Sequence, residues 1–145
     1  MKDCTEYEIK DLTRHNLFEQ FIISAFFHLK KTNPEFKTPE RFNFFGYIET
    51  HRARICLRNG EPVGLLLCQI YPSTFDPTLK ILYQDLLYGK PGTKAAKLLL
   101  DDFIAFGKAN AQHILTMIAK GTNIKGRSLE RLGFTKLEEL YRMES

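Results

Sequence analysis

The sequence predicts an α/β domain: a central mixed, mostly antiparallel twisted sheet of about six strands flanked by about four helices. Three observations carry this expectation. Asn59-Gly60 lies between two alternating apolar runs, and both central residues of such a turn need the positive φ that Asn and Gly tolerate. The stretch Ile81 to Phe106, ILYQDLLYGKPGTKAAKLLLDDFIAF, reads as a buried strand, a Gly-containing loop and an amphipathic helix. The full order is strand, two helices, three strands, helix, strand, helix, strand, which is an antiparallel meander entering a strand–helix–strand crossover.

Each element has its own signal. Tyr7 to Leu12 alternates weakly and suits a first strand. From Leu17 to Leu29 the apolar residues Leu17, Phe18, Phe21, Ile22, Ala25, Phe26 and Leu29 recur at spacings of three and four, one helix face. Pro34 ends that helix. Thr38-Pro39 starts a second one, which continues to about His51. Its Phe42, Phe44, Phe45 and Tyr47 cannot all face one core, so they either pack between helices or wall a cleft. Ala53 to Arg58 and Glu61 to Tyr71 are the hairpin strands, and Leu65-Leu66-Leu67 marks the second as central.

The next strand spans Leu79 to Tyr88 and the loop Gly89 to Thr93. The long helix covers Lys94 to Ala111, with Ala95, Leu99, Phe103 and Phe106 in one stripe. His113 to Ala119 reads as a buried strand and Arg127 to Leu132 as a short helix. Gly133 stops that helix in the left-handed conformation, and Phe134 to Arg142 is the last strand.

Bulk properties narrow the function classes. With 145 residues the chain is expected to form one domain, residues 1–145, with a core that needs neither disulfide nor metal. Three cysteines give no zinc spacing. With Asn59-Gly60 as the turn, Cys56 falls opposite Val63 and Cys68 opposite His51, too far apart to bridge. No apolar run is long enough to span a bilayer, and the first residues lack the apolar centre of a secretory signal, so no membrane role and a cytoplasmic location are expected. The net charge of +4 is mild; it reads as a solvated basic surface or as attraction for an anionic ligand. No nucleic-acid motif is present and no nucleic-acid partner is expected.

The loop after the central strand is where a ligand is expected. A strand that feeds a helix through a Gly-containing loop aims the first helical N–H groups, and the positive end of the helix dipole, at whatever occupies the loop. Lys90, Lys94 and Lys97 add charge around it. A phosphate-bearing ligand fits that pattern, and a plain turn at Gly89 and Gly92 is the alternative.

The element order, the segment YQDLLYGKPGTKAAKLLLDDF and the ending RSLERLGFTKLEELYRM together resemble the GNAT acetyltransferase superfamily over residues 5 to 143. The resemblance implies acetyl-coenzyme A bound in a split between the strands Leu79–Tyr88 and His113–Ala119. It assigns the thioester arm to the backbone of Leu86, Leu87 and Tyr88, and the pyrophosphate to Gly92, Thr93, Lys94, Ala95 and Ala96. Asn123 lies near a further coenzyme-touching position. The family's loop pattern, Gln/Arg-x-x-Gly-x-Gly/Ala, falls on Pro91, Lys94 and Ala96, so two of its three marked positions depart.

Asp85 is the acid this family often carries on the strand before the loop, and it is the candidate general base; alternation puts it on one face with Tyr83 and Leu87. Glu49 and His51 come next. The Tyr that many members use to protonate the departing thiolate is replaced by Leu129. Two functions follow as expectations. One is an acetyl-coenzyme A-dependent N-acetyltransferase acting on an amine of a small molecule or protein, without a metal and possible as a homodimer. The other is a weakly active or inactive GNAT-fold module that binds a host or partner protein, which would suit a bacterial or phage setting.

Overall fold

The structure, a computed structural model, describes residues 6–16, 18–32, 44–116 and 126–136. Five strands form one sheet in the order β1 (Tyr7–Asp11), β2 (Arg52–Arg58), β3 (Glu61–Pro72), β4 (Lys80–Gly89) and β5 (His113–Leu115). The first four are antiparallel neighbours and β5 joins β4 in parallel. The helices are α1 (Glu19–Thr32), α2 (Phe44–Thr50), α3 (Ala95–Asn110) and α4 (Gly126–Arg131).

This matches the expected element order, with differences at specific places. The start of the second helix at Thr38-Pro39 lies outside the described residues, as does the far end of the fifth strand. The expected last strand begins in irregular backbone at Phe134–Lys136 and continues outside them, so the described sheet has five strands rather than about six. Helix α1 starts at Glu19 because Phe18 takes a left-handed backbone, φ 51°, while its carbonyl accepts the Ile22 N–H at 3.1 Å. Asn59 (φ 50°) and Gly60 (φ 83°) make the hairpin turn, and Gly133 (φ 99°) follows α4 as expected.

The sheet carries a hydrophobic cluster on each face. On one, α1 packs Ile22, Ala25 and Leu29 against Ile55, Leu65, Leu67, Leu86 and Tyr88. On the other, α3 packs Ala95, Leu99, Leu100 and Phe103 against Cys56, Leu66, Cys68 and Leu82. The buried stripe of α3 continues from Phe103 to Gly107, not to Phe106. Four-residue steps from Ala95 reach Gly107, and a side chain there would run into Ile114 and Leu82.

Two β-bulges set which face each side chain takes. One lies between Cys56 and Leu57, where Val63 is the extra residue of β3. It moves the hairpin register by one: Cys56 faces Gly64 rather than Val63, and Cys68 faces Arg52 rather than His51. Both cysteines are free and buried. The second bulge pairs Leu67 with Leu86 but Cys68 with Gln84, leaving Asp85 as the extra residue of β4. Among the described residues no helix is long and apolar enough to cross a membrane.

Candidate functional site

The β4 bulge is the centre of the site. Because Asp85 has no residue opposite it, the side-chain alternation of β4 changes phase there. Tyr83 and Asp85 project toward α2, while Leu87 packs in the α3 cluster on the opposite face. The expectation that Asp85 shares its face with Leu87 is therefore corrected; the bulge moves Leu86 and Tyr88 to that face instead.

Asp85 is half-buried and its two oxygens accept from different donors. The Tyr47 hydroxyl of α2 donates to Oδ2 at 2.5 Å, and Gln69 Nε2 of β3 donates to Oδ1 at 2.9 Å. Charge-assisted bonds of this kind hold a carboxylate in one orientation. Burial, and then donation to Asp85, push the Tyr47 phenol far above its ordinary value, so it stays a donor at any working pH. The Tyr47 ring stacks on His51 one turn later, centroids 4.3 Å apart, and the Thr50 hydroxyl meets His51 Nδ1 at 2.7 Å. Tyr83 and Tyr71 meet edge to face at 6.3 Å. Among the described residues, no Lys, Arg or His forms an ion pair with Asp85.

Beside this cluster β5 joins β4. The two strands pair through Ile81↔His113, Leu82↔Ile114 and Tyr83↔Leu115. The Thr116 hydroxyl then bonds to buried Gln84 Oε1, and no further described residue pairs with β4 on that side. Leu86, Leu87 and Tyr88 continue β4 past the last described pair. Their side chains are committed elsewhere. Leu86 and Tyr88 are buried against α1, with Tyr88 between Phe21 and His28 at centroid distances of 5.9 and 5.5 Å.

The strand ends in the loop that opens α3. Gly89 lies so close to the helix that a Cβ on it would stand 2.5 Å from Ala96 N and 2.7 Å from Ala96 Cβ. Ala96 is thus the small residue that lets strand and helix meet, the role this position has in the loop pattern. Gly92 has φ 82°, and a Cβ there would meet nothing within 4 Å. Lys94 sits at the N-cap without a side-chain cap.

Three amides at this turn have internal partners. Thr93 N–H donates to Lys90 O at 3.2 Å, Lys94 N–H to the Tyr7 hydroxyl at 3.2 Å, and Ala95 N–H to Thr93 Oγ1 at 3.4 Å. These bonds are at the long end of the normal range, so an anion can replace them. Lys90, Lys94 and Lys97 are all exposed around the turn. In charge, amide direction and open space the loop fits a pyrophosphate.

Three residues singled out in the sequence do not join the site as described. Leu129 points into the α3 cluster, 8% exposed, and carries no proton to donate. Asn123 lies outside the described residues. Glu49 faces Arg14 on the surface, away from Asp85. Of the Phe-rich helix, Tyr47 packs against the α1-side cluster, the exposed Phe45 lies under the Arg14 guanidinium at 5.5 Å, and Phe42 lies outside the described residues.

Sequence reasoning missed a second polar assembly, between β2 and α3. Asp102 accepts from Arg52 at 3.0 Å and from two nitrogens of Arg54 at 3.1 and 3.3 Å; Arg54 also reaches Asp11 at 2.8 Å. Arg52 lies over the Phe106 ring at 3.9 Å, and its buried Nε has no hydrogen-bond partner among the described residues. A cleft of about 540 Å³ opens here, where β2 begins and β3 runs on past it. It touches the Asp85 cluster only through Gln69 and His51, and is lined otherwise by residues such as Asp11, Ile48, Arg52 and Phe106. Among the described residues no three His, Cys, Asp or Glu side chains gather as a metal would need.

The meander, the parallel β4–β5 pair and the loop running into α3 are together the fold of the GNAT N-acetyltransferases. No protein-family model matches the sequence, and a search of curated proteins returns no significant match. Solved structures do match. Glucosamine-6-phosphate N-acetyltransferase from Arabidopsis thaliana superimposes with a TM-score of 0.70 at 10% identity, covering 96% of this chain and 98% of that one. Ribosomal-protein-alanine N-acetyltransferase from Brucella melitensis biovar Abortus 2308 gives 0.68 at 16% identity, covering 96% and 99%. An aminoglycoside acetyltransferase from an uncultured soil metagenomic sample gives 0.65 at 13%, covering 96% and 97%.

Proposed function

We propose that the protein is an acetyl-coenzyme A-dependent N-acetyltransferase that acylates an amine of a small molecule or protein. The supporting observation is the β4 bulge that sets Asp85 against Tyr47 and Gln69, directly ahead of the Gly89–Lys94 loop that opens α3. The backbone of Leu86, Leu87 and Tyr88 holds the thioester arm. Gly92, Thr93 and the amides of Lys94, Ala95 and Ala96 hold the pyrophosphate, with the Lys94 ammonium as counter-charge. Asn123 is assigned to the coenzyme on resemblance alone. The coenzyme supplies an activated acyl group.

Asp85, oriented by Tyr47 and Gln69, takes the proton the acceptor nitrogen loses as it bonds to the acyl carbon. The carbon–sulfur bond breaks and the sulfur leaves as thiolate. With Leu129 in the core, solvent supplies its proton.

Calorimetric titration with acetyl-coenzyme A tests this. Micromolar binding is expected, weakened about tenfold by Lys94→Glu, in line with loss of one charge-assisted contact. Absence of any heat at millimolar coenzyme would end the proposal. The burial of Leu129 favours a second reading, a GNAT-fold module that binds a partner protein without turnover. Coenzyme binding without acetyl release against any amine, in a protein that captures a stable partner, would select it.

A further inference from the structure

The acetyltransferase reading leaves the acceptor open, and the surroundings of Asp85 narrow it. This carboxylate is half-buried with two neutral donors and, among the described residues, no cation. The nearby arginines are committed: Arg52 to Asp102, and Arg54 to Asp102 and Asp11. A carboxylate removed from water loses hydration that two neutral hydrogen bonds replace only in part, so a bound cation is strongly favoured.

The walls beside it are aromatic. Tyr83 stands two residues before Asp85 on the same face, Tyr71 meets the Tyr83 ring edge to face, and Tyr47 lies above on α2. The negative faces of such rings favour an ammonium and its adjoining methylenes. The Tyr47 hydroxyl and the Gln69 amide are spent on Asp85, and His51 Nδ1 meets Thr50. The rings of Tyr47, Tyr71 and Tyr83 offer apolar surface, which a hydrocarbon chain covers without desolvating hydroxyls as a polyhydroxylated acceptor would.

We propose that Asp85 with the rings of Tyr47, Tyr71 and Tyr83 forms a receptor for an aliphatic ammonium, and that the acceptor is a primary amine on an unbranched alkyl chain rather than an amino sugar. The inference rests on the acetyltransferase reading for the use of that amine, but the ammonium site stands on its own contacts. In the reaction the ammonium first pairs with Asp85 and passes it one proton, directly or through a water, and Asp85 releases that proton to solvent. The neutral nitrogen then bonds to the acyl carbon and gives its second proton to Asp85 as the carbon–sulfur bond breaks; the sulfur leaves as thiolate and takes a proton from solvent. Tyr47 and Gln69 are positioning residues, since they act on the carboxylate.

The test uses the full chain and the probes pentylamine, pentanol and glucosamine. Saturation-transfer NMR without coenzyme reads binding, and thiol release with acetyl-coenzyme A reads transfer. Pentylamine is expected to bind and to be acetylated; pentanol should not bind, and glucosamine should have a kcat/KM lower by about tenfold or more. Tyr47→Phe keeps the ring and removes the hydroxyl, and should raise the amine KM several-fold while leaving coenzyme affinity unchanged. Asp85→Asn should abolish pentylamine binding; Tyr83→Leu is the check if that variant fails to fold, and should weaken binding several-fold. Equal binding of pentanol and pentylamine, preference for glucosamine, or pentylamine binding indifferent to Asp85→Asn and Tyr83→Leu each overturns the inference. Failure of coenzyme to bind while pentylamine still binds through Asp85 overturns the enzyme reading and keeps the ammonium receptor.

Discussion

Removing the charge of Asp102 is the perturbation whose size the structure specifies best. Asp102 is the shared acceptor for Arg52 and Arg54, at 3.0 and 3.1 Å, and the only described carboxylate paired with Arg52. The three side chains are 17–22% exposed, so water screens them little. In Asp102→Asn the Arg52 guanidinium would lose its described counter-charge, and Arg54 would keep only the exposed Asp11. Breaking a buried pair by deleting one partner costs ~3–5 kcal/mol, and the residual exposure argues for the lower end, about 3 kcal/mol. In a chain of 145 residues each kcal/mol moves Tm by roughly 3 °C, so Tm should fall by about 10 °C.

Urea titration followed by far-ultraviolet circular dichroism gives the free energy, and calorimetry gives Tm. The companion variant replaces the whole assembly, Arg52→Met, Arg54→Met and Asp102→Leu, and should return to within ~1 kcal/mol of the parent because no uncompensated charge stays buried. A loss under ~1 kcal/mol in Asp102→Asn would show that solvent reaches the pair and would refute the reasoning. So would a triple variant less stable than the single one.

Other outcomes follow from the same geometry. Gly89→Val places atoms where Ala96 already lies, and should cost ~1–3 kcal/mol and weaken coenzyme binding, read by denaturation and calorimetry. Burial raises the Cys56 thiol to about 11 and the Cys68 thiol to about 12, so neither should react with iodoacetamide near pH ~8 until the protein is unfolded, as mass spectrometry would show. Both thiols stay protonated in the fold after they would ionise in the unfolded chain. Their contribution is therefore complete below the ordinary thiol value of 9.0 and is lost as pH rises toward the folded values. Stability should decline at up to ~1.4 kcal/mol per pH unit per thiol in that window, and replacing both with Ala should flatten the decline. Leu129→Tyr should lower stability and give no gain in acetyl release, because position 129 faces the α3 cluster.

Much of this was legible from short-range pattern. The Asn59-Gly60 turn, the helix stop at Gly133 and the strand–loop–helix around Gly89 depend on backbone conformations of the residues themselves. Asp85 stood out because an acid interrupts an otherwise apolar and aromatic strand. What it bonds to did not, since Tyr47 is 38 positions away on a helix and Gln69 16 positions away on β3.

The sequence by itself determined the order of elements, the hairpin, and the small residues that let α3 begin against the sheet, because each is set by local sterics and periodicity. Only the tertiary structure decided the faces. Side-chain direction in a strand alternates with a period of two, so one extra residue at Val63 and one at Asp85 reverse it, and nothing local marks where a partner strand will skip. That reversal sent Leu87 to the α3 side, left Asp85 facing Tyr47, and gave the sheet a half-buried carboxylate without a cation of its own among the described residues.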